Sequence, residues 1–323
     1  MILIVGGAGY IGSHCVLDLT RNGYDCLVLD NLSKGHIEAI KTRHFVKADL
    51  SNISALRDVF KKYPIEAVIH FAADACVGES VTNPQKYYYN NVVNTLNLLS
   101  VMIENNVKNI VFSSTCATYG NPEYVPIDEK HIQNPINPYG RTKLIIENIF
   151  KDYDNAYGLK YIALRYFNAA GADILENIGE SHSPETHLIP LVLQASKDEN
   201  ISLKVFGNDY DTPDGTCLRD YIHVNDLARA HRLALEKLLS GADSDFYNLG
   251  TGKGTSVLEI IDLSSKITGK NISYELAPRR AGDPPALVAS NNKAKEELGW
   301  EAEFVDPEEI IKTAWKWESN KHF

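Results

Sequence analysis

Short apolar runs alternate with longer amphipathic segments through the first half of the chain. Most of these runs lack a strict apolar–polar alternation, which is typical of strands covered on both faces. Strands are predicted at residues 2–5, 26–30, 44–50, 67–73, 109–114 and 161–168. Helices are predicted between them, at residues 10–22, 54–62, 84–106 and 138–157. The alternation predicts βαβ units and a parallel, doubly wound α/β sheet.

The regular alternation of predicted strands and helices ends after Asn168. Residues 169–220 are rich in turn-forming Gly, Pro, Asp and Asn and are predicted to be mostly loop. A helix at 225–240 and a strand at 245–250 follow. We therefore predict a sheet domain and a smaller mixed α/β lobe packed on it, the first formed by residues 1–168 with a returning segment at about 221–250, the second by 169–220 and 251–323.

Composition and charge narrow the functional classes to which the protein can belong. The 323 residues carry a formal net charge of −10. Without a basic surplus there is little counterion release to drive binding to a polyanion, so we predict no nucleic-acid partner. The N-terminus "MILIVGGAGY" has no basic leader and only a short apolar run, which predicts neither a signal peptide nor membrane association. Five widely spaced cysteines without a Cys-x-x-Cys pair predict a reduced, cytoplasmic protein with no metal site.

A glycine-rich turn follows the first predicted strand. Gly6, Gly9 and Gly12 in "VGGAGYIGSH" have a spacing that lets backbone approach a pyrophosphate at a helix N-terminus. The second strand ends in Asp30, whose carboxylate can accept hydrogen bonds from an adenosine ribose. Its negative charge would repel a 2′-phosphate and no arginine stands beside it. NAD is therefore predicted over NADP, although Lys34 lies nearby.

Tyr139 and Lys143 in "NPYGRTK" stand one helical turn apart, on the same face of a predicted helix. A tyrosine with an ordinary pKa of about 10 is a poor base at neutral pH, but an ammonium group and the positive ring of NAD⁺ would favour the phenolate. Alone, the spacing is equally compatible with an ordinary surface pair. The preceding strand ends in "FSST", so Ser113, Ser114 and Thr115 are predicted to line the same crevice, or merely to satisfy backbone groups there.

The order of short motifs along the whole chain resembles that of a known family. Besides the glycine turn, the motifs are "DNLSKGH", "HFAA", "VGES", "FSSTCATYG", "NPYGRTK", "RYFN", "RDYIHV" and "APRRAGD". Together they resemble the UDP-hexose 4-epimerases of the extended short-chain dehydrogenase/reductase superfamily. The resemblance implies a Rossmann-type sheet with tightly bound NAD and a C-terminal lobe that binds a UDP-sugar. It also implies a homodimer formed through the helices at 84–106 and 138–157.

The reaction that the resemblance implies is inversion at C4 of UDP-glucose or UDP-galactose through a transient 4-keto sugar. Tyr139 would take and return the proton of the 4-hydroxyl, Thr115 would relay it, and Lys143 would bind the nicotinamide ribose. Related dehydratases carry an Asp-Glu pair directly after the threonine. Cys116 and Ala117 stand there in this chain, which disfavours loss of water.

The resemblance also implies which residues hold the two ligands. For NAD they are, beyond the glycines, Asp30, Tyr139 and Lys143, the residues Tyr10, Ile11, Asn31, Ser33, Lys34, Gly35, Asp49, Leu50, Phe71, Ala72, Ala73, Asn90, Ser113 and Phe167. For the UDP-sugar they are Thr115, Tyr166, Asn168, His187, Leu188, Lys204, Val205, Phe206, Arg219, Arg280, Asp283 and Leu287. Within this set, Arg219 and Arg280 would bind the diphosphate and Asp283 the uridine ribose.

Two positions depart from the family pattern. Ala75 stands where some members carry a lysine that reaches the cofactor or substrate. Leu287 stands in one wall of the sugar pocket, where tyrosine tends to exclude an N-acetyl group and smaller residues tend to admit it. Interconversion of UDP-GlcNAc and UDP-GalNAc therefore stays open. A non-catalytic NAD-binding regulatory protein and a reductase that releases its cofactor are the alternatives from other classes.

Overall fold

The computed structural model describes residues 1–198, 200–280 and 283–323. Its strands are β1 (Ile2–Val5), β2 (Cys26–Asp30), β3 (His44–Lys47), β4 (Ala67–His70), β5 (Asn109–Thr115), β6 (Lys160–Tyr166), β7 (Asn168–Ala170), β8 (Leu203–Phe206), β9 (Leu218–Arg219), β10 (Tyr221–His223), β11 (Asp245–Leu249), β12 (Thr255–Ser256), β13 (Tyr274–Ala277) and β14 (Ala286–Leu287). Its α-helices are α1 (Tyr10–Arg21), α2 (Ile53–Lys62), α3 (Val77–Thr82), α4 (Pro84–Tyr87), α5 (Asn94–Glu104), α6 (Pro138–Tyr157), α7 (Leu188–Lys197), α8 (Val224–Leu239), α9 (Val257–Thr268), α10 (Asn292–Leu298) and α11 (Pro307–Ser319). Residues Tyr88–Val93 form a π-helical segment, and Ile37–Ala39 and Cys116–Thr118 form 3₁₀ turns.

Seven parallel strands form the central sheet, in the order β3-β2-β1-β4-β5-β6-β11. Strands β1, β2 and β4 are buried along their whole length, which explains why they are apolar up to the final Asp30 of β2 and His70 of β4. Helices α1 and α8 pack on one face of the sheet, and α2, α5 and α6 pack on the other. The strand order reverses between β1 and β4, and ligands of such sheets bind at the carboxyl ends of the strands at this point. The predicted doubly wound α/β fold is confirmed.

A smaller set of elements packs beyond the carboxyl edge of the sheet. Helices α7, α9 and α11 share an apolar cluster, and short strands form two- and three-stranded sheets beside it. Between these pieces the chain returns to the main sheet through α8 and β11, and β11 pairs with β6. The predicted boundaries of the two domains stay a prediction.

The helix predicted over 84–106 is wrong in its middle. The chain forms α4, then the π-helical segment Tyr88–Val93, then α5. Asn91 is buried in the π-helical segment, where its amide donates to the carbonyl of Asp74 (3.0 Å) and to the hydroxyl of Thr142 (3.1 Å). Such wider turns are frequent near functional sites.

Helix α7 lies in a segment that was predicted to be mostly loop. Its sequence "LIPLVLQASK" contains Pro190, which in a sequence usually marks a helix end. Pro190 stands in the first turn of α7, where the missing N–H needs no partner, so the helix tolerates it. The strands predicted at 44–50, 67–73 and 161–168 also end early, at Lys47, His70 and Tyr166.

Buried histidines make stability depend on pH. Burial lowers the pKa of His231 to about 4, against a smaller opposite effect of the Leu227 carbonyl. The unfolded chain takes up this proton near its ordinary pKa of about 6.5, whereas the folded chain resists it. Between the pKa of the unfolded chain and that of the folded chain, acidification therefore lowers the free energy of unfolding by about 1.4 kcal/mol per pH unit through this one group.

We expect His231→Gln to reduce the pH dependence of the free energy of unfolding by about that slope. Urea titrations from neutral pH down to pH values near the folded pKa measure it. His44→Gln, at a histidine whose side chain is 41% exposed, is the control for the substitution itself and should change the slope less than His231→Gln does. Equal slopes in His231→Gln and wild type would contradict the prediction.

Candidate active site

A cavity of about 1050 Å³ opens at the carboxyl edge of the sheet, between the glycine turn after β1 and strand β14. Most of the residues predicted to bind a cofactor or substrate form its wall: Gly6, Gly9, Tyr10, Ile11, Gly12, Asp30, Asn31, Ser33, Lys34, Gly35, Asp49, Leu50, Phe71, Ala72, Ala73, Asn90, Ser113, Thr115, Tyr139, Lys143, Tyr166, Phe167, Asn168, His187, Arg219, Arg280, Asp283 and Leu287. The structure does not place the other predicted residues in the described part of this wall, namely Leu188, Lys204, Val205 and Phe206.

The glycine turn leaves no room for side chains at two of its positions. Gly6 has a φ of +81°, and a Cβ there would lie 2.5 Å from the backbone nitrogen of Ala72. A Cβ on Gly12 would lie 2.2 Å from the carbonyl oxygen of Gly6. Helix α1 begins after Gly9 without a side-chain cap and without an acidic residue in its first turn. Its first N–H groups therefore present a positive, unpaired end to an anion in the cavity.

Two carboxylates beside this turn are held in place by backbone groups. Asp30 accepts from the N–H groups of Ala8 (3.0 Å) and Leu32 (2.8 Å), one at each carboxylate oxygen. Asp49 accepts from the Asn31 amide (2.6 Å) and the Ser51 N–H (2.8 Å). Each carboxylate oxygen retains further lone pairs, so both residues can also accept hydrogen bonds from a ligand.

Tyr139 and Lys143 lie in the first turns of α6, which begins at Pro138 and is capped by the side chain of Asn137. Lys143 is 2% exposed, and its Nζ donates to the carbonyl of Ser113 at 2.7 Å. The same Nζ lies 5.9 Å from the centre of the Tyr139 ring. The sequence-predicted pair is therefore not on a solvated surface but faces the end of β5.

The protonation of this pair is set chiefly by burial. Burial raises the pKa of Tyr139 well above its ordinary value, with a further rise from Tyr166 and a partial opposing effect from the Thr115 hydroxyl. Burial also lowers the pKa of Lys143 to about 7, against the attraction of Glu147. The expectation that a phenolate is favoured therefore depends on a positive charge brought by a ligand, because the lysine alone does not offset the burial of the tyrosine.

A buried polar network beneath the cavity was not predicted. Glu147 forms an ion pair with Arg165 (2.6 Å), and both side chains are almost fully buried. Ser114 donates to Glu147, and Tyr119 accepts from Arg165 at 3.0 Å. Glu147 stands one helical turn after Lys143, which is the sequence signal that could have placed it on the same face.

The comparisons with known proteins agree with this geometry. Residues 2–250 match the NAD dependent epimerase/dehydratase family. The UDP-glucose 4-epimerase of Halalkalibacterium halodurans is 52% identical over 316 residues, which are 98% of this chain and 95% of that protein. The chain belongs to the NAD-dependent epimerase/dehydratase family.

Solved structures of epimerases in this family share the fold. The UDP-glucose 4-epimerase of Brucella ovis in complex with NAD is 52% identical, with a TM-score of 0.95 and 97% of each chain covered. The UDP-glucose 4-epimerase of Bifidobacterium longum in complex with NAD⁺ and UDP is 38% identical, with a TM-score of 0.93, over 99% of this chain and 98% of that chain. The resemblance seen in the sequence motifs is confirmed.

The residues of the cavity fit NAD, the cofactor of this epimerase/dehydratase family. The N-terminus of α1 is uncapped, and the turn before it packs so closely that a Cβ at Gly12 would collide with the Gly6 carbonyl, so the backbone N–H groups stay accessible to a pyrophosphate. Asp30 stands at the end of β2, where a ribose hydroxyl would lie, and its charge disfavours a 2′-phosphate. Tyr10, the first residue of α1, also donates from its hydroxyl to the carbonyl of Gly171 (2.6 Å) and so joins the turn to the second lobe.

We expect Gly12→Ala to lose bound NAD, because the added methyl group would displace the Gly6 carbonyl and widen the turn. The cofactor released on denaturing the purified protein measures the loss. Gly23→Ala is the control for α1, since a Cβ at Gly23 meets nothing within 4 Å, although its φ of +82° adds strain. Full NAD occupancy in Gly12→Ala would contradict the prediction.

The residues after Thr115 separate the two reactions that give the epimerase/dehydratase family its name. Burial raises the pKa of the Cys116 thiol to about 12, so it stays protonated at neutral pH. Ala117 has no ionisable group and lies in the cavity wall beside it. The pair of acid and base that a dehydration at this position would need is missing.

The far end of the cavity holds the predicted substrate residues. Arg219 forms an ion pair with Asp283 and also donates to the carbonyl of Pro284 at 3.0 Å. The Arg280 guanidinium lies 3.9 Å from the centre of the Phe206 ring, which places Phe206 behind the wall. Residues 281–282 of the motif "APRRAGD" lie outside the described residues. Leu287 stands beside Arg219 in the pairing of β14 with β9.

The remaining predicted substrate residues lie outside the wall for identifiable reasons. Val205 is buried in an apolar cluster with Leu203, and the intervening Lys204 points to solvent on β8. Leu188 begins α7 and packs against the apolar residues below it. Their proposed contacts with substrate stay predictions.

Within the described residues, none of the helices combines the length and apolarity that a membrane crossing needs.

Proposed function

We propose that the protein is an NAD-dependent isomerase that inverts C4 of a UDP-hexose and interconverts UDP-glucose and UDP-galactose. The observation that carries the proposal is the meeting of Thr115, Tyr139 and Lys143 in one cavity with the glycine turn. The neighbouring Cys116 and Ala117 lack the groups for dehydration, which supports epimerisation over the other reaction of the family.

Tyr139 is proposed to take the proton of the 4-hydroxyl and to return it after the sugar has turned over. When bound, NAD supplies the acceptor and donor of the C4 hydride and a positive ring near Tyr139. That charge would offset the burial that raises the pKa of Tyr139. Thr115 stands beside Tyr139 to relay the proton, while Lys143, fixed by the Ser113 carbonyl, would hold the nicotinamide ribose.

The substrate residues are proposed to hold the nucleotide firmly and the sugar loosely. Arg219 and Arg280 would bind the diphosphate, Asp283 the uridine ribose, and Asn168 a diphosphate oxygen. The Bifidobacterium longum relative, in complex with NAD⁺ and UDP, supports a UDP-linked substrate. A 4-keto sugar could rotate about its link to an anchored diphosphate and so present its other face to the cofactor and Tyr139. The same Tyr139 could therefore act in both directions of the epimerisation.

Incubation of the purified protein with UDP-galactose, without added NAD, tests the function. We expect UDP-glucose to accumulate to a constant ratio with UDP-galactose, because the cofactor is regenerated in each turnover. A need for stoichiometric NAD would favour a reductase. Absence of any conversion by NAD-loaded protein would favour a regulatory NAD-binding protein.

Leu287 is proposed to set the size of the sugar pocket. It packs against the cluster around Phe167 and Cys116, and it lies in the cavity wall. We expect Leu287→Tyr to lower kcat/KM for UDP-GalNAc by about 10-fold or more relative to UDP-galactose, because the larger ring fills space near the 2-substituent. Side-by-side assays measure the ratio, with Leu287→Met as the size-matched control. An unchanged ratio would remove Leu287 as the specificity residue.

We also propose a homodimer in the cytoplasm. Tyr89 and Val93 on the π-helical segment are 62% and 40% exposed, and Ile145 on the adjacent α6 is 36% exposed. Apolar side chains exposed on neighbouring helices support an interface there. The molar mass in solution tests the dimer, and a monomer at micromolar concentration would count against it.

The five cysteines are all free, which supports the proposed location in a reducing compartment, the cytoplasm.

A further inference from the structure

Four side chains of the segment 180–187 converge on one point of the cavity wall. Glu180, His182, Glu185 and His187 each offer one oxygen or nitrogen atom, and these atoms all lie within 4.8 Å of one another. Within the set, Glu180 Oε1 lies 2.6 Å from His187 Nδ1 and 3.2 Å from His182 Nδ1, and His187 Nδ1 lies 3.4 Å from Glu185 Oε1. The separations of 3.2 and 3.4 Å are those of ligands that surround one transition-metal ion, whereas the 2.6 Å contact is that of an ion pair and would lengthen around a metal ion.

The donor atoms lie close together, and several buried ones lack a hydrogen bond of acceptable geometry. Glu180 is 6% exposed, and its Oε1 makes ion-pair contacts with His187 and His182 but no hydrogen bond of acceptable geometry among the described residues. The same holds for His182 Nδ1 and for Glu185 Oε2. The other oxygen of Glu185 already accepts from the N–H groups of Thr186 and His187. Buried polar atoms without a well-formed hydrogen bond are costly, and a cation held between them would remove that cost.

We propose that Glu180, His182, Glu185 and His187 bind a divalent transition-metal ion of the Zn²⁺ class. Two imidazole nitrogens and two carboxylate oxygens form a complete tetrahedral set for zinc. The segment is tied to other elements, since Trp317 donates to the Glu180 carbonyl (2.8 Å) and His187 directly precedes α7. The ion is therefore structural: it fixes this part of the cavity wall. The site does not depend on the proposed reaction.

Protons are the competitors of the metal ion. Burial opposes protonation of His182, but the two carboxylates outweigh it and raise its pKa to about 9. Without metal the cluster would thus be a network of imidazolium and carboxylate groups. The experiment must distinguish this network of ion pairs from a metal site. The sequence "ESHSPETH" carried a signal for the site, Glu-x-His-x-x-Glu-x-His, although the cysteines predicted no metal.

Metal analysis of the full chain tests the site. Protein treated with a chelator and then dialysed against Zn²⁺ should retain about one zinc ion per chain. Glu180→Gln and His182→Gln, which preserve side-chain size, should each weaken Zn²⁺ binding by at least about 10-fold. His44→Gln, a surface histidine outside the cluster, should bind as wild type does. Retention of Zn²⁺ by both cluster variants, or no retention by wild type, would overturn the proposal.

Cobalt substitution of the wild type gives a second readout that needs no variant to fold. Co²⁺ held by two imidazoles and two carboxylates in tetrahedral geometry absorbs strongly in the visible range, whereas hydrated Co²⁺ absorbs weakly. Strong visible absorption that Zn²⁺ abolishes supports the site. A spectrum of hydrated Co²⁺ overturns it and leaves the network of ion pairs.

Discussion

Tyr139→Phe should lower kcat by about 100- to 10,000-fold, the range that a positioned acid–base group contributes. The substitution removes the only atom of the side chain that can carry the 4-hydroxyl proton and keeps the ring that packs in the wall of the cavity. NAD content and the UDP-sugar KM should change much less than kcat, because Tyr139 is only one of many predicted NAD contacts and the anchoring residues Asp30, Arg219 and Arg280 lie elsewhere. Initial rates with UDP-galactose, together with NAD content, measure the split between chemistry and binding.

Tyr157→Phe is the matched control, since Tyr157 ends the same helix α6 and is exposed. It should keep wild-type turnover. Near-normal kcat in Tyr139→Phe would assign the proton transfer to another group, and a parallel loss of NAD would assign Tyr139 a role in cofactor binding instead.

Arg165→Leu should destabilise the fold by about 3–5 kcal/mol, the usual effect of removing one partner of a buried ion pair. Glu147 would be left buried and charged, with Ser114 and Gln133 as its remaining donors. Because the pair joins α6 to β5 and β6, the loss should appear as a lower midpoint of urea unfolding.

Two comparisons make this prediction specific. The exposed pair of Arg57 and Glu104 has a similarly short contact (2.8 Å), yet Arg57→Leu should change stability by no more than about 1 kcal/mol. The double variant Glu147→Leu with Arg165→Leu should recover much of the lost stability, because no charge is then stranded. A single variant as stable as wild type would show that solvent reaches Glu147.

The sheet and the cofactor turn were predictable because they depend on local sequence. Strand β1 is a continuous apolar run, β2 is apolar up to its final Asp30, and the glycine spacing between β1 and α1 is a steric requirement. Helix α7 was missed because Pro190 stops a helix in most positions, and only its place in the first turn makes it acceptable. The π-helical segment depends on where Asn91 finds its partners, and these lie far away in sequence.

The sequence was sufficient to predict which residues form the site but not their protonation states. The spacing of Tyr139 and Lys143 indicated a shared face, and the structure places both in the cavity wall. Their pKa values depend on burial, which no spacing encodes, so the rise for Tyr139 could not be foreseen. Val205 and Lys204 show the same limit, because alternation along β8 turns one side chain into the core and the other to solvent.

The position of β11 has a consequence for synthesis of the protein. This strand, Asp245–Leu249, is the edge strand that covers β6, and both α8 and β11 follow the segment that carries α7 and β8. During translation, one edge of β6 therefore has no neighbouring strand until residues near 249 have left the ribosome. An exposed strand edge invites pairing with another chain, so the nascent chain is vulnerable to aggregation over this interval. Chaperone contact should accordingly be greatest for ribosome-bound chains that end between β6 and β11.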